Sequence, residues 1–389
     1  MVYDFETMVS RKVQGSMKWK DVEQNKIALS VADIDFVHPP ELIDGMKAIV
    51  SSTPMGYTNP TESYYTSVIN WFESHHNFTM KRDGMIDSPG VVNALFEIVD
   101  AFSEPGNGII ILTPVYYPFT MSVERQDRNV VDVPLLLEGT HYSIDFEGLE
   151  KAASNENNKV LIFCSPHNPV GRVWTDDELR RVGEICLENN VIVISDEIHC
   201  DITMPNHPHT TMNSISESIN QNTILAVSAS KAFNLAGLQT AVIYIENEDL
   251  RNGFNAYKDT KAMYILNTMG PKVTELAYEV GGSWLDEFNE LVASNAEYFK
   301  SFIESNMPEI TVIPLEGTYL QWFDCSGMGL SDEDLNDFFL NECGLVLDPG
   351  NMFGVHGEQF QRINVACSRA ILEESLNRIH ASWFARKVA

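Results

Sequence analysis

An α/β protein, with a largely parallel sheet covered by helices on both faces and a smaller α+β domain after it, is predicted by three features of the sequence. From about residue 90 to residue 245, short continuous apolar runs alternate with helix-like segments, a pattern that suits strands buried on both faces. One segment between two such runs opens on a helix-capping box. After about residue 275 the alternation fades into a long charged helix, short strands and further helices.

Taken in order, residues 1–40 read as an irregular arm that joins the smaller domain. Val91, Leu95, Ile98, Val99 and Phe102 share one helical face directly after Pro89-Gly90, which places a helix N-terminus at the glycine. Strand runs follow at 108–112, 130–133, 160–164, 191–195, 224–227 and 241–245. Thr175-Asp176-Asp177-Glu178 is the capping box, ahead of Leu179, Val182, Ile185, Cys186 and Leu187 on one face. A long helix is expected from near Trp284 to Ile303. The implied division is a large domain over 41–275 and a small one made of 1–40 with 276–389.

At 389 residues the chain exceeds what one compact core organises. Its 44% hydrophobic and 21% charged residues are those of a globular protein. Lys plus Arg number 26 against 55 Asp plus Glu, a net charge of −29 that repels a phosphate backbone, and no basic stripe offsets it. Nucleic-acid binding is therefore not expected. The first thirty residues hold no signal-peptide core, and no apolar run is long enough to span a bilayer, so a cytoplasmic location is expected. Six cysteines without a C-x-x-C pair read as reduced core thiols. No H-E-x-x-H or His/Cys ligand spacing points to a metal.

In open α/β sheets ligands collect beyond the carboxyl ends of the strands. Those loops here hold Thr113-Pro114-Val115-Tyr116-Tyr117, Ser165 to Gly171 with Asn168-Pro169, Asp196-Glu197-Ile198-His199, and Ser228-Ala229-Ser230-Lys231. Asp196 directly follows four apolar residues, where it either caps a turn or meets a buried cation, because an unpaired buried carboxylate is costly. Lys231, past another strand end, is either a surface lysine or poses the same problem. A cofactor with a protonated ring nitrogen and an aldehyde satisfies both residues at once, and pyridoxal 5'-phosphate (PLP) has both.

Ser228 to Leu238, with its S-x-x-K and following glycine, resembles the fold-type I PLP-dependent aminotransferase superfamily (class I/II), as do Asn168-Pro169-Val170-Gly171, Asp196 and Arg362-Ile363-Asn364, in the same order. The nearer resemblance is to the MalY/PatB-type cystathionine β-lyase and C-S lyase group. It rests on Tyr3-Asp4-Phe5, Ser16-Met17-Lys18-Trp19, Val31 to Phe36, Ser88 to Val92, Ser195 to His199, Lys231 to Leu238 and Pro349 to Gly354. It implies the PLP-dependent transferase fold, with a mainly parallel seven-stranded sheet.

The resemblance also implies roles, each with a plainer alternative. Lys231 would bind PLP covalently and then act as the base at the substrate Cα. Asp196 would keep the pyridine nitrogen protonated; otherwise it is a cap. Gly90, Val91 and Val92 would hold the phosphate on helix N–H groups, helped by Ser228; otherwise they are an ordinary helix start. Tyr116 would stack on the ring, with Tyr117 as competitor and core packing as alternative. Asn168 would donate to the ring oxygen, though Asn-Pro is also a turn starter. His199 stands where many aminotransferases carry a tyrosine, and is otherwise a buried histidine. Arg362 would clamp the substrate α-carboxylate, with Asn168 and Tyr116 beside it and Arg369 as the competing arginine. Tyr57 would reach the phosphate of a partner subunit, which makes a homodimer the expected state.

Two positions depart from the group: Ser30 replaces a tryptophan, and Gln239 a phosphate-binding arginine. The group resemblance implies β-elimination from cystathionine or another cysteine S-conjugate, giving pyruvate, ammonia and a thiol. The alternatives are an aminotransferase for neutral or aromatic amino acids, or a PLP-binding protein with a regulatory protein contact.

Overall fold

A computed structural model describes residues 2–261 and 265–388. Its main sheet has seven strands: β1 (Met85–Ser88), β2 (Gly108–Ile111), β3 (Asn129–Asp132), β4 (Asn158–Cys164), β5 (Ile192–Asp196), β6 (Thr223–Val227) and β7 (Ala241–Ile245). Their spatial order is β1-β7-β6-β5-β4-β2-β3. β2 to β6 run parallel, and β7 is antiparallel to both β6 and β1. Every predicted apolar run is a strand within two residues of its expected bounds. β1 escaped the sequence reading because Met85-Ile86-Asp87-Ser88 is short and half polar, and its pairing with Ala241 to Tyr244 makes it a strand.

The reason for continuous apolar strands is visible in the packing. Ile109 and Ile111 of β2, Val160 and Ile162 of β4 and Ile194 of β5 turn to one face, where they meet Leu95, Ile98 and Val99 of helix α1 (Val91–Phe102). The intervening Ile110, Leu161, Phe163 and Val193 turn to the other, against Leu179, Val182 and Cys186 of α2 (Asp176–Glu188). Period-two alternation thus feeds two separate cores, and each face removes apolar surface from water. The capping box of α2 is formed: Thr175 Oγ1 accepts the Glu178 N–H, and Glu178 accepts the Thr175 N–H at 2.8 Å.

The long helix is α3 (Gly282–Asn306), and the C-terminal helix is α4 (Arg369–Val388). With them lies a four-stranded sheet ordered Thr311–Val312, Leu320–Asp324, Phe360–Asn364 and Asp348–Pro349. The N-terminal arm contacts this smaller unit: Ile27 and Ala28 pair in parallel with Leu345 and Val346, and Asn364 N–H donates to Leu29 O. All six cysteines are free and buried. Among the described residues no helix is long and apolar enough to cross a membrane.

Candidate active site

The carboxyl ends of β2, β4, β5 and β6 lie on one edge of the sheet, and that edge gathers the residues singled out above. β1, antiparallel to β7, ends on the same edge and delivers Gly90 there. Phe360–Asn364, from the smaller unit, brings Arg362 across the gap. The cleft therefore lies between the two units, where each supplies only part of it.

Lys231 is half-buried, and its amine donates to Ala32 O at 2.7 Å. Burial and the nearby Arg362 guanidinium pull its pKa down to about 8, against the opposing pull of Asp33 and Asp196. Asp196 ends β5, with Oδ1 accepting the Ile198 N–H at 3.2 Å. Burial pushes its carboxyl up to about 7, more than that hydrogen bond and the Lys231 charge recover. A half-buried base held toward neutrality lies within electrostatic reach of a buried acid held toward neutrality.

Arg362 is held from three sides. Its Nε and Nη2 donate to Asp348 Oδ2 at 3.2 and 2.6 Å. Nη1 donates to Asn168 Oδ1 at 2.7 Å, and the guanidinium carbon lies 4.7 Å from the centre of the Phe353 ring. Because Asn168 spends its carbonyl on Arg362, its amide N–H groups are left as donors. Arg369, the competing arginine, donates to Ser294 at the start of α4, away from this cluster.

Tyr116 is half-buried, and Arg362, Asp196 and Asp348 are close enough to act on its ionisation, which burial drives up to about 12. Tyr117 is 40% exposed. The structure therefore brings Tyr116, and not its neighbour, into the cluster. His199 is buried with Nδ1 unpartnered, and its ring meets Tyr319 edge-on at 5.9 Å. Burial, with Lys231 and Arg362 close by, depresses its pKa well below the usual histidine range.

Gly90 has φ +99° and ψ 156°, a conformation essentially restricted to glycine, and it heads α1 without a side-chain cap. The first N–H groups of the helix, including those of Val91 and Val92, thus have no intrahelical acceptor. A Cβ at Gly90 would stand 3.6 Å from Gln239 Oε1, so Gln239 borders the same space. Ser228, just past the end of β6, is already engaged: Oγ donates to Thr240 O at 2.6 Å, accepts the Ser230 N–H at 3.1 Å and touches Ser230 Oγ at 2.8 Å. A phosphate would compete with Thr240 for that proton. Tyr57 is 98% exposed and joins none of this within one protomer.

Sequence reasoning missed Asp348, Ala32 and Ser230. Asp348 carried a signal, an acid ending the apolar run Leu345-Val346-Leu347. Ala32 acts through a backbone carbonyl, which no residue type announces. His76, Cys200 and Asp201 also bring ligand-type atoms within 4.8 Å of one another. Asp201 Oδ1 there already accepts from Trp71 Nε1 at 2.8 Å and is 2.7 Å from His76 Nε2, so the group is tied by hydrogen bonds.

The donor set fits PLP: an amine for the aldehyde, an acid for the ring nitrogen, and an uncapped helix N-terminus for the phosphate. The family model for class I and II aminotransferases matches residues 24–379. The chain belongs to the class I and II aminotransferase family. Within this PLP-dependent family it falls in the MalY/PatB-type group. It is 35% identical to cystathionine β-lyase PatB of Bacillus subtilis, over 97% of this chain and 99% of that one. Cystalysin of Treponema denticola, whose crystal structure contains PLP, superposes with a TM-score of 0.96 at 40% identity over the whole of both chains. The PLP-bound C-S lyase of Staphylococcus hominis gives 0.91 at 31% identity, over 98% of each.

Proposed function

We propose that the chain is a PLP-dependent carbon–sulfur β-lyase that cleaves cystathionine or a related cysteine S-conjugate to a thiol, pyruvate and ammonia. The observation that carries this reading is the end-to-end identity with a cystathionine β-lyase, PatB, together with an intact Lys231–Asp196–Arg362 cluster.

Bound PLP supplies an aldehyde that condenses with amines and a ring that accepts the electron pair left on Cα. The chain supplies the rest. Asp196 would hold the ring nitrogen, whose positive charge would offset the cost of its buried carboxylate. Asn168 Nδ2 and His199 would serve the ring oxygen, Tyr116 would pack against the ring, and the α1 N-terminus with Ser228 would hold the phosphate. Arg362 would clamp the α-carboxylate and so orient the bonds at the substrate Cα. Lys231, brought to about 8, has a deprotonated fraction near neutral pH far larger than a surface lysine, and takes the Cα proton. A thiolate on Cβ then departs with its bonding pair.

The exposed Tyr57, with Met55 two residues before it also 57% exposed, supports a homodimer in which Tyr57 completes the partner's phosphate site. Six free buried thiols support the cytoplasmic reading. Relatives named aspartate aminotransferase, one 26% identical from a Bacillus species, keep transamination as the second reading. The deciding experiment incubates the holoenzyme with L-cystathionine and no 2-oxo acid, following pyruvate and thiol together. Equal yields of both support the lyase; product that appears only with an added 2-oxo acid overturns it in favour of transamination.

A further inference from the structure

Asp348 is a buried carboxylate that neither the cofactor nor the reaction requires, yet its Oδ2 accepts three N–H groups. Two come from Arg362, through Nε at 3.2 Å and Nη2 at 2.6 Å, and the third is the Val31 N–H at 3.2 Å. A guanidinium has five N–H donors in a fixed plane. Asp348 takes the edge made by Nε and Nη2, and Asn168 takes one donor of Nη1 at 2.7 Å. Among the described residues, one N–H on Nη1 and one on Nη2 are left uncommitted. Those two can meet a carboxylate as a fork.

Phe353 fixes the plane of the guanidinium from one face, at 4.7 Å from its ring centre. Asp348 occupies the Nε–Nη2 edge, and Asn168 one donor of Nη1. The negative charge of Asp348 also brings the buried pair to net zero, so a substrate carboxylate meets a neutral, oriented fork and not a bare cation. The same oxygen holds Val31, a β-branched residue at φ +56°, whose carbonyl in turn accepts from Asn364 Nδ2 at 2.9 Å. A left-handed valine is strained and needs such anchors. The next residue supplies the carbonyl that receives the Lys231 amine.

We propose that Asp348 is the positioning residue of the carboxylate subsite: it occupies one edge of Arg362 so that the remaining Nη1 and Nη2 donors receive the α-carboxylate of an amino-acid substrate in one orientation. This rests on the reading of Arg362 as the carboxylate clamp. Two consequences separate the effects of edge and charge. Asp348→Asn keeps an acceptor of the same shape and removes the charge, so the subsite gains one positive unit. Simple carboxylate inhibitors should bind more tightly, by about tenfold, while kcat falls only a fewfold. Asp348→Ala frees the edge as well, so kcat should fall by more than tenfold while inhibitor affinity stays at or above that of wild type.

The experiment measures kcat, KM and the inhibition constant of propionate for the wild-type, D348N and D348A holoenzymes, with melting temperatures recorded alongside. Opposite movements of propionate affinity and kcat support the proposal. Unchanged kinetics in the folded fraction, with only the melting temperature lowered, overturn it and leave Asp348 as a structural partner. Arg362→Lys is the control for the underlying reading. An unchanged KM in that variant refutes the clamp itself, whatever Asp348 does, whereas a raised KM with inert Asp348 variants refutes the positioning role alone. Should D348A fail to fold, D348N still decides through propionate affinity.

Discussion

The amine of Lys231 sits 2.7 Å from the carbonyl oxygen of Ala32, a contact between residues 199 positions apart. It ties the loop after β6 to the N-terminal arm and keeps a buried amine satisfied when nothing else engages it. Lys231→Ala is expected to abolish thiol and pyruvate release, by roughly three orders of magnitude or more. It should also remove the visible absorption of covalently held cofactor. Activity within tenfold of wild type would exclude Lys231 as the base.

Asp196 carries a pH signature. Its carboxyl is raised to about 7 in the folded protein without cofactor, against roughly 4 in an unfolded chain. A carboxyl with a raised folded value binds its proton more tightly folded than unfolded. Its contribution to stability is therefore fully present below pH ~4 and is lost as pH rises toward 7. Urea unfolding of cofactor-free wild type and Asp196→Asn should show the variant gaining relative stability between those limits and levelling off above them. With PLP bound the order should reverse at pH 8, because the carboxylate then has a cation to pair with.

Gly90→Ala should weaken phosphate binding and stability together. At φ +99° an alanine is strained by about 1–3 kcal/mol. A lower melting temperature and faster cofactor loss on dialysis are expected. Gln239, which borders Gly90, gives the opposite test. Gln239→Arg should tighten PLP binding by about tenfold through a charge-assisted contact, measured by equilibrium dialysis. No change would mean that the side chain does not reach the phosphate.

Tyr57 is almost fully exposed, so Tyr57→Ala removes no contact within the protomer and should leave secondary structure unaltered. If it completes a partner's site, the variant should release PLP faster, by about tenfold, while light scattering still reports a dimer. A fully active monomer in the same measurement would end the cross-subunit reading.

The strands and their order of appearance were legible from residues alone, because a sheet buried on both faces forces unbroken apolar runs such as Ile109 to Ile111 and Val160 to Phe163. Gly90, Asn168, Asp196 and Lys231 could be singled out for a related reason. Asn168, Asp196 and Lys231 accept or carry charge past the end of an apolar strand and stand out against it, and Gly90 stands out as the glycine that opens an apolar helical face. What β1 does was hidden, since a half-polar tetrapeptide becomes a strand only when β7 offers it hydrogen bonds. Tertiary structure brought Tyr116 to Arg362 and left Tyr117 exposed, and it alone set Arg362 against Asp348. It also placed the Ala32 carbonyl before Lys231. Each of these joins segments far apart in the chain through direction and distance, which periodicity and residue type do not encode. The sequence by itself determined which groups needed partners, and folding decided which partners they received.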